Sequence, residues 1–203
     1  MGDTPALILA SASAARVTML KAAGVAFDVI AANIDEEATT ARLGAGDHNV
    51  EAADVASTLA VEKALVVSAA HPKALVIGAD QVLALRRRKF SKASSIKEAR
   101  ETLALLRGQT HELVSAVALA QNKAVLWQVI DYTQMTMRNF SDEFLEAYLE
   151  QNGSRLLRSV GCYEIEGFGV QLFEKIEGDY FTILGMPLLP LLAELRQRGM
   201  VAA

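Results

Sequence analysis

The stretch LVIGADQVLAL, residues 75–85, decides how this chain is read. With Ala74 it opens on an apolar run to Ile77, meets Gly78, and reaches the carboxylate of Asp80 two residues later. A short run of branched apolar residues closed by a glycine reads as a buried strand that breaks at Gly78. A carboxylate past the carboxyl end of such a strand stands where open α/β sheets take their ligands. The same residue type also caps turns by bonding nearby backbone. Position alone leaves both roles open for Asp80.

Toward the amino terminus, Ala6–Ala10 is a second apolar run, followed by Ser11-Ala12-Ser13. A helix is predicted over about 14–23, with Ser13 as its N-cap and Gly24 as its stop. Free N–H groups and the helix dipole favour an anion at such a start. Arg16 sits in the first turn, poorly placed for the dipole but well placed to reach an anion in front of it. The plainer reading has Ser13 only capping and Arg16 meeting solvent. Val25–Ile30 alternates like a strand. Asp35, Glu36 and Glu37 then stand together, as oxygen ligands for a divalent cation or as a solvated loop. A polar loop, Gly44–Asn49, precedes a long helix over about 52–69 with Val55, Leu59 and Val66 on its buried stripe. Lys63 falls on that stripe, so it either snorkels past the core or points into a cleft that needs positive charge.

Toward the carboxyl terminus, Arg86, Arg87, Arg88, Lys89 and Lys92 crowd one short loop. The chain carries a net charge of −4, which argues against a nucleic-acid surface. A basic hairpin tip beside a polyphosphate site is more economical. Ser95 to Glu98 has the form of a capping box, opening a helix that runs to Gly108. His111, without a neighbouring His or Cys, reads as a structural residue at the start of a strand, Glu112–Ala120. Asn122-Lys123 is a turn, and Val125–Met137 a long strand, making an antiparallel hairpin. A helix follows Ser141. Val170–Ile176 and Tyr180–Leu184 read as strands, and Leu188–Arg198 as a last helix behind Pro187. This order predicts a single α/β domain over 1–203, a mixed parallel/antiparallel sheet with flanking helices.

Several classes drop out. One cysteine, Cys162, excludes an intrachain disulfide and a cysteine metal cage, and fits a reducing cytoplasm. The opening MGDTPALILA lacks the basic region of a signal peptide, and no apolar run is long enough for a membrane span. No GxxxxGK[ST] loop, no GxGxxG turn and no GxSxG elbow occurs, which disfavours P-loop, dinucleotide and α/β-hydrolase chemistry. What remains converges on phosphate. Ser11, Arg16, Lys63 and Lys92 suit phosphate oxygens, and Asp80, with Glu36, suits a divalent metal or a water to be deprotonated. Phosphoryl-type transfer needs both kinds of group.

The blocks LILASASAAR (7–16), IDE (34–36), LAVEKA (59–64), VIGADQV (76–82), RGQTHE (107–112), FSDEFLEAYL (140–149) and EIEGFGVQLFEKIEGDYFTILGMPL (164–188) carry a resemblance. In order and spread over nearly the whole chain, they are similar to the Maf family of nucleoside triphosphate pyrophosphatases. The resemblance implies an elongated α/β fold with a central cleft, of the Maf/ITPase-like kind, often homodimeric. It implies hydrolysis of a nucleoside triphosphate to the monophosphate and pyrophosphate with a divalent metal, Mg or Mn. By the same resemblance Asp80 is the catalytic proton acceptor. Ser11, Arg16, Lys63 and Lys92 contact the triphosphate, Glu36 assists Asp80 at the metal, and Ala15, Gln81 and Glu166 tune the base.

The departures also count. The family's SPRR is SAAR here, its GKP is Ser91-Lys92-Ala93, and its AGAYGIQG is VGCYEIEG. Gln81 and Glu166 resemble the subgroup acting on 7-methyl-GTP, but Ala15 stands where that subgroup has an aromatic able to stack on a cationic purine. The altered motifs leave a second expectation beside the enzyme: a nucleotide-binding regulatory protein with weak or lost hydrolysis.

Overall fold

The computed structural model describes residues 5–44 and 50–202. Its strands are β1 (Leu7–Leu9), β2 (Asp28–Val29), β3 (Leu75–Leu85), β4 (Arg88–Phe90), β5 (Thr110–Gln121), β6 (Ala124–Met137) and β7 (Phe173–Glu177). Its helices are α1 (Ala14–Ala22), α2 (Glu36–Gly44), α3 (Ala52–Ala70), α4 (Ile96–Leu106), α5 (Asp142–Asn152), α6 (Tyr180–Ile183) and α7 (Leu188–Gln197). The sheet is mixed, as the sequence predicts: β1 pairs parallel with β2 and β3, while β3–β4 and β6–β7 are antiparallel. The loop expected at Gly44–Asn49 lies, past Gly44, outside the described residues. Among the described residues no helix is long and apolar enough to cross a membrane.

The chain forms two compact units. The first comprises residues 1–81, 114–131 and 179–203, and the second 82–113 and 132–178. In the first, the strand order is β2-β1-β3-β5-β6. Its core gathers Leu7, Leu9, Leu20, Leu75, Ile77, Val117, Leu119, Leu191 and Leu195, so the apolar runs seen in the sequence are the strands and the helix stripe that meet there. Burial of that kind is the main stabilising term for the unit.

The decisive stretch behaves differently from its reading. The strand does not break at Gly78; β3 continues through it to Leu85, so Asp80 lies inside the strand. Gly78 is there for contact. A Cβ on it would stand 2.0 Å from the Ala60 carbonyl oxygen and 2.7 Å from the Ala64 nitrogen. The missing side chain lets the α3 backbone lie directly on β3.

Other elements also depart from expectation. The run Val25–Ile30 keeps only Asp28–Val29 as strand. The Asp35–Glu37 cluster is no loop: Asp35 accepts from the Ala38 N–H at 2.9 Å, and Glu36 opens α2. Acids there are favoured by the helix dipole. Val66, expected on the buried stripe of α3, is exposed, while Val55 and Leu59 are buried. Tyr180–Leu184, read as a strand, is the short helix α6, because Asp179 caps it by accepting from the Thr182 N–H at 3.1 Å. The front of the expected strand 170–176 is a 3₁₀ turn, Phe168–Leu172.

The second unit contains the basic hairpin. Leu83 pairs with Phe90 and Leu85 with Arg88, and Arg86 turns the chain with φ 58°. Ser95 accepts from the Glu98 N–H at 3.2 Å, as a capping box requires. The Glu98 carboxylate, however, returns to Ser94 rather than to Ser95. His111 is structural as read: it is buried, with Nε2 2.8 Å from the Tyr163 hydroxyl. Cys162 is a buried core residue, and burial pushes its thiol up to about 11.

Candidate active site

Three consecutive residues of β3 reach in three directions. The Ala79 carbonyl accepts from Arg16 Nη1 at 3.0 Å. The Asp80 carboxylate accepts from Lys63 Nζ at 2.6 Å. Gln81, on the opposite face of the strand from Asp80 by alternation, donates from Nε2 to Ser115 Oγ and to the Thr182 and Ile183 carbonyls, each at 3.0 Å.

Asp80 and Lys63 face one another because Gly78 brings α3 onto the strand. Lys63 therefore does not snorkel. It is buried on the α3 stripe, with Nζ between Asp80 Oδ1 and Glu36 Oε1, the latter at 2.7 Å. Asp80 is buried too, and desolvation raises its carboxyl above the ordinary range. Lys63 and Arg16 pull in the other direction, and Glu36 adds to the rise. The result is a buried carboxyl with a raised pKa, close to two cations. Such tuning characterises general bases.

Arg16 does not face solvent. It is buried, with Nε donating to the Gly185 carbonyl at 2.8 Å and Nη1 donating to Ser11 Oγ at 3.2 Å as well as to Ala79. Desolvation lowers its pKa, opposed by Asp80 and Glu36, so its charge is felt at the carboxylates. Gly185, at φ +98°, leaves room for it: a Cβ there would meet Arg16 Nη2 at 3.3 Å. Ser11 also accepts from the Ser13 N–H at 3.3 Å, whereas the Ser13 side chain makes no cap bond. The hydroxyl that serves the start of α1 is thus Ser11 and not the predicted cap, Ser13.

Of the predicted site residues, the structure brings Ser11, Arg16, Lys63, Asp80 and Glu36 into one network, with Gln81 next along the strand. Ala15 lies half-buried in the first turn of α1, beside Arg16 in sequence. Lys92 and Glu166 are exposed residues of the second unit. Lys92 lines a surface pocket of about 250 Å³ there with Arg88, Lys89 and Glu98. Sequence reasoning missed Ser115, Thr182, Asp131 and Gly185. A signal existed for Ser115, a lone hydroxyl in the otherwise apolar run Leu113–Ala120.

For a divalent metal, the test is what Glu36 and Asp80 do. Both aim an oxygen at one cationic point, the Lys63 ammonium, and each carries a second oxygen outside that contact. Among the described residues no group of three or more His, Cys, Asp and Glu is placed to hold a metal ion. Two carboxylates without a protein cage fit a magnesium-like ion, which takes one or two carboxylates and completes its shell with water and substrate phosphates.

A nucleoside triphosphate pyrophosphatase of Caulobacter vibrioides is 51% identical over 199 residues, covering 98% of each chain. A 7-methyl-GTP pyrophosphatase of Rhizobium etli is 47% identical over 198 residues, again covering 98% of each. A nucleoside triphosphate pyrophosphatase of Granulibacter bethesdensis is 47% identical over 94% of this chain and 96% of its own. A solved dITP/XTP pyrophosphatase of Mycobacterium abscessus aligns over 96% of this chain and 95% of its own at 13% identity, with a TM-score of 0.38, too loosely to carry an argument. Residues 6–198 match the family described as Maf-like protein, and the chain belongs to that family.

Proposed function

We propose that this protein hydrolyses a nucleoside triphosphate to the nucleoside monophosphate and pyrophosphate, with Asp80 as proton acceptor. The observation that carries the reading is the buried Asp80 carboxyl with its raised pKa, held 2.6 Å from Lys63. Water attacks the α-phosphorus and gives its proton to Asp80. The bond from that phosphorus to the bridging oxygen breaks, and pyrophosphate leaves with the electron pair. Lys63 and Arg16 offset the negative charge shifted to phosphate oxygens in the transition state. Glu36 and Asp80 would hold a divalent cation, Mg²⁺ or Mn²⁺, which would supply further charge neutralisation.

The base is read from Gln81. Ser115 Oγ donates to the Thr182 carbonyl at 2.8 Å, so it accepts from Gln81. The amide nitrogen of Gln81 therefore faces three acceptors, and Oε1 is the end left for a ligand. An acceptor at that position suits a base edge carrying N–H groups, such as a guanine. This supports a modified guanine nucleotide as the preferred class, in line with the name of the Rhizobium etli relative.

The test is a panel of standard, methylated and modified nucleoside triphosphates with Mg²⁺ or Mn²⁺, scored for monophosphate and pyrophosphate. Asp80→Asn should keep the fold and lose about 10²–10⁴-fold in turnover, the usual weight of a general base. Release of orthophosphate alone, full activity of Asp80→Asn, or nucleotide-dependent thermal stabilisation without turnover would each overturn the reading.

A further inference from the structure

We infer that Thr182 and Asp131 are positioning residues for base selection, acting through the turn Thr182–Gly185 that holds Gln81. The inference rests on the pyrophosphatase reading and adds to it the device that sets the specificity residue.

The turn supplies three carbonyls to the site. Those of Thr182 and Ile183 accept from Gln81 Nε2, and that of Gly185 accepts from Arg16 Nε. One short segment thus fixes the amide after Asp80 in sequence and the guanidinium beside it. The turn is itself held by the Thr182 side chain. Thr182 is fully buried, and its hydroxyl donates to Asp131 Oδ2 at 2.6 Å, with Asp179 Oδ1 at 3.4 Å. Its N–H donates to Asp179. The peptide whose carbonyl receives Gln81 and Ser115 is therefore tethered at its nitrogen, its hydroxyl and its oxygen.

This tethering decides which end of the Gln81 amide faces a ligand. A flipped amide would set Oε1 against two carbonyl oxygens at hydrogen-bond distance, so the fixed turn makes Gln81 an acceptor only. A loosened turn lets the amide rotate and present either end. A site with a fixed hydrogen-bonding group rejects the wrong partner strongly, and a mobile one does not. Loss of the Thr182–Asp131 bond therefore reduces discrimination between bases more than it reduces turnover of the best substrate.

The experiment measures kcat/KM across the triphosphate panel for the wild type, Thr182→Val, Thr182→Ser and Asp131→Asn, with thermal melts to verify folding. Thr182→Val should compress the ratio between best and worst substrate by about tenfold, roughly the worth of one hydrogen bond. Thr182→Ser, which keeps the hydroxyl, should restore the ratio. If valine prevents folding, Asp131→Asn reads the same ratio through the other partner and should compress it less. An active wild type whose ratio is unchanged in Thr182→Val, or in Asp131→Asn when valine does not fold, overturns the inference and leaves the pyrophosphatase reading standing. A wild type inactive on the whole panel overturns that reading and the base-selection role with it. A measurement without substrate separates the two. The Gln81 side-chain amide, assigned by its disappearance in Gln81→Glu, should be protected from hydrogen exchange in the wild type and lose that protection in Thr182→Val. Unchanged protection counts against the tether whatever the activity.

Discussion

The Lys63 ammonium lies 2.6 Å from Asp80 Oδ1, and the Asp80 carboxyl still sits above the ordinary carboxylate range. A lysine that close, with Arg16 nearby, pulls an acid's pKa down. Here desolvation outweighs both cations, because the two partners share a buried site in which their side chains are each only 10% exposed. The arrangement suits proton abstraction. A fully stabilised carboxylate would be a weaker base, and the cations limit how far burial raises the carboxyl.

Lys63→Met should therefore move the acid limb of kcat/KM to higher pH, since it removes an opposing charge and leaves the desolvation. Stability moves in the same sense. Asp80 binds its proton more tightly folded than unfolded, so its contribution is fully present below the unfolded value and is lost as pH rises through the raised folded one. The methionine variant should extend that loss to higher pH. A pH–rate profile and urea unfolding at a series of pH values test both, and an acid limb at the wild-type position would rule the coupling out.

Arg16→Lys should behave as a drastic change despite keeping the charge. The guanidinium spans the Gly185 carbonyl, the Ala79 carbonyl and Ser11 Oγ at once, and a lysine offers no planar fork to do so. Each hydrogen bond to a charged group is worth about 1.5–3 kcal/mol. A loss of roughly 2–4 kcal/mol in urea unfolding is expected from two broken bonds partly replaced by water. Lower turnover should follow if Asp80 acts as proposed, because Ala79 and Gln81 flank it in β3. Wild-type stability in the lysine variant would contradict the clamp.

Much of this site was legible in the sequence, and the limits have physical causes. Lys63 stands out because it falls on the apolar stripe of α3, Asp80 because it follows an apolar run, and Arg16 because it sits in the first turn behind the hydroxyl loop that holds Ser11; each has a partner in the structure. Gly78 was misread as a strand end, since a glycine that admits a neighbouring backbone looks locally like one that breaks a strand. Tyr180–Leu184 was misread because its aromatic and β-branched composition favours a strand, whereas the Asp179 cap decides for helix. Thr182, Gly185 and Asp131 left no local signal. Their roles come from contacts with residues far away in the chain, which one sequence does not display.

Gly78→Ala should test the strand reading directly. The added Cβ would stand 2.0 Å from a backbone oxygen of α3, which has no flexible end to yield. The helix must shift off β3, at a cost of about 1–3 kcal/mol or more, as for other overpacked cores. That shift also carries Lys63 away from Asp80, so activity should fall further than the melting temperature alone accounts for. Unaltered stability and rate would show that α3 does not lie on the strand as described.

His111 supplies the pH test of the second unit. Burial lowers its pKa from 6.5 to about 4. Its Nε2 lies 2.8 Å from the Tyr163 hydroxyl, which also lies 3.5 Å from Met135 Sδ, and Nδ1 is buried without a partner among the described residues. The folded protein therefore holds this imidazole neutral. Unfolding lets it take a proton below its ordinary pKa, so the contribution is present above pH 6.5 and is lost as pH falls toward 4. The loss amounts to about 2 kcal/mol by pH 5 and about 3 kcal/mol when complete. His111→Phe fills the same space between Tyr163 and Phe173 without a titrating group. It should give up the Tyr163 bond, about 1 kcal/mol at neutral pH, and flatten the acid dependence. Urea unfolding of both proteins at pH 7.5 and pH 5 isolates the term, because every other carboxylate and imidazole is common to the pair. The wild type should lose about 2 kcal/mol more than the variant between those two conditions. Equal losses would mean that His111 already protonates in the folded state.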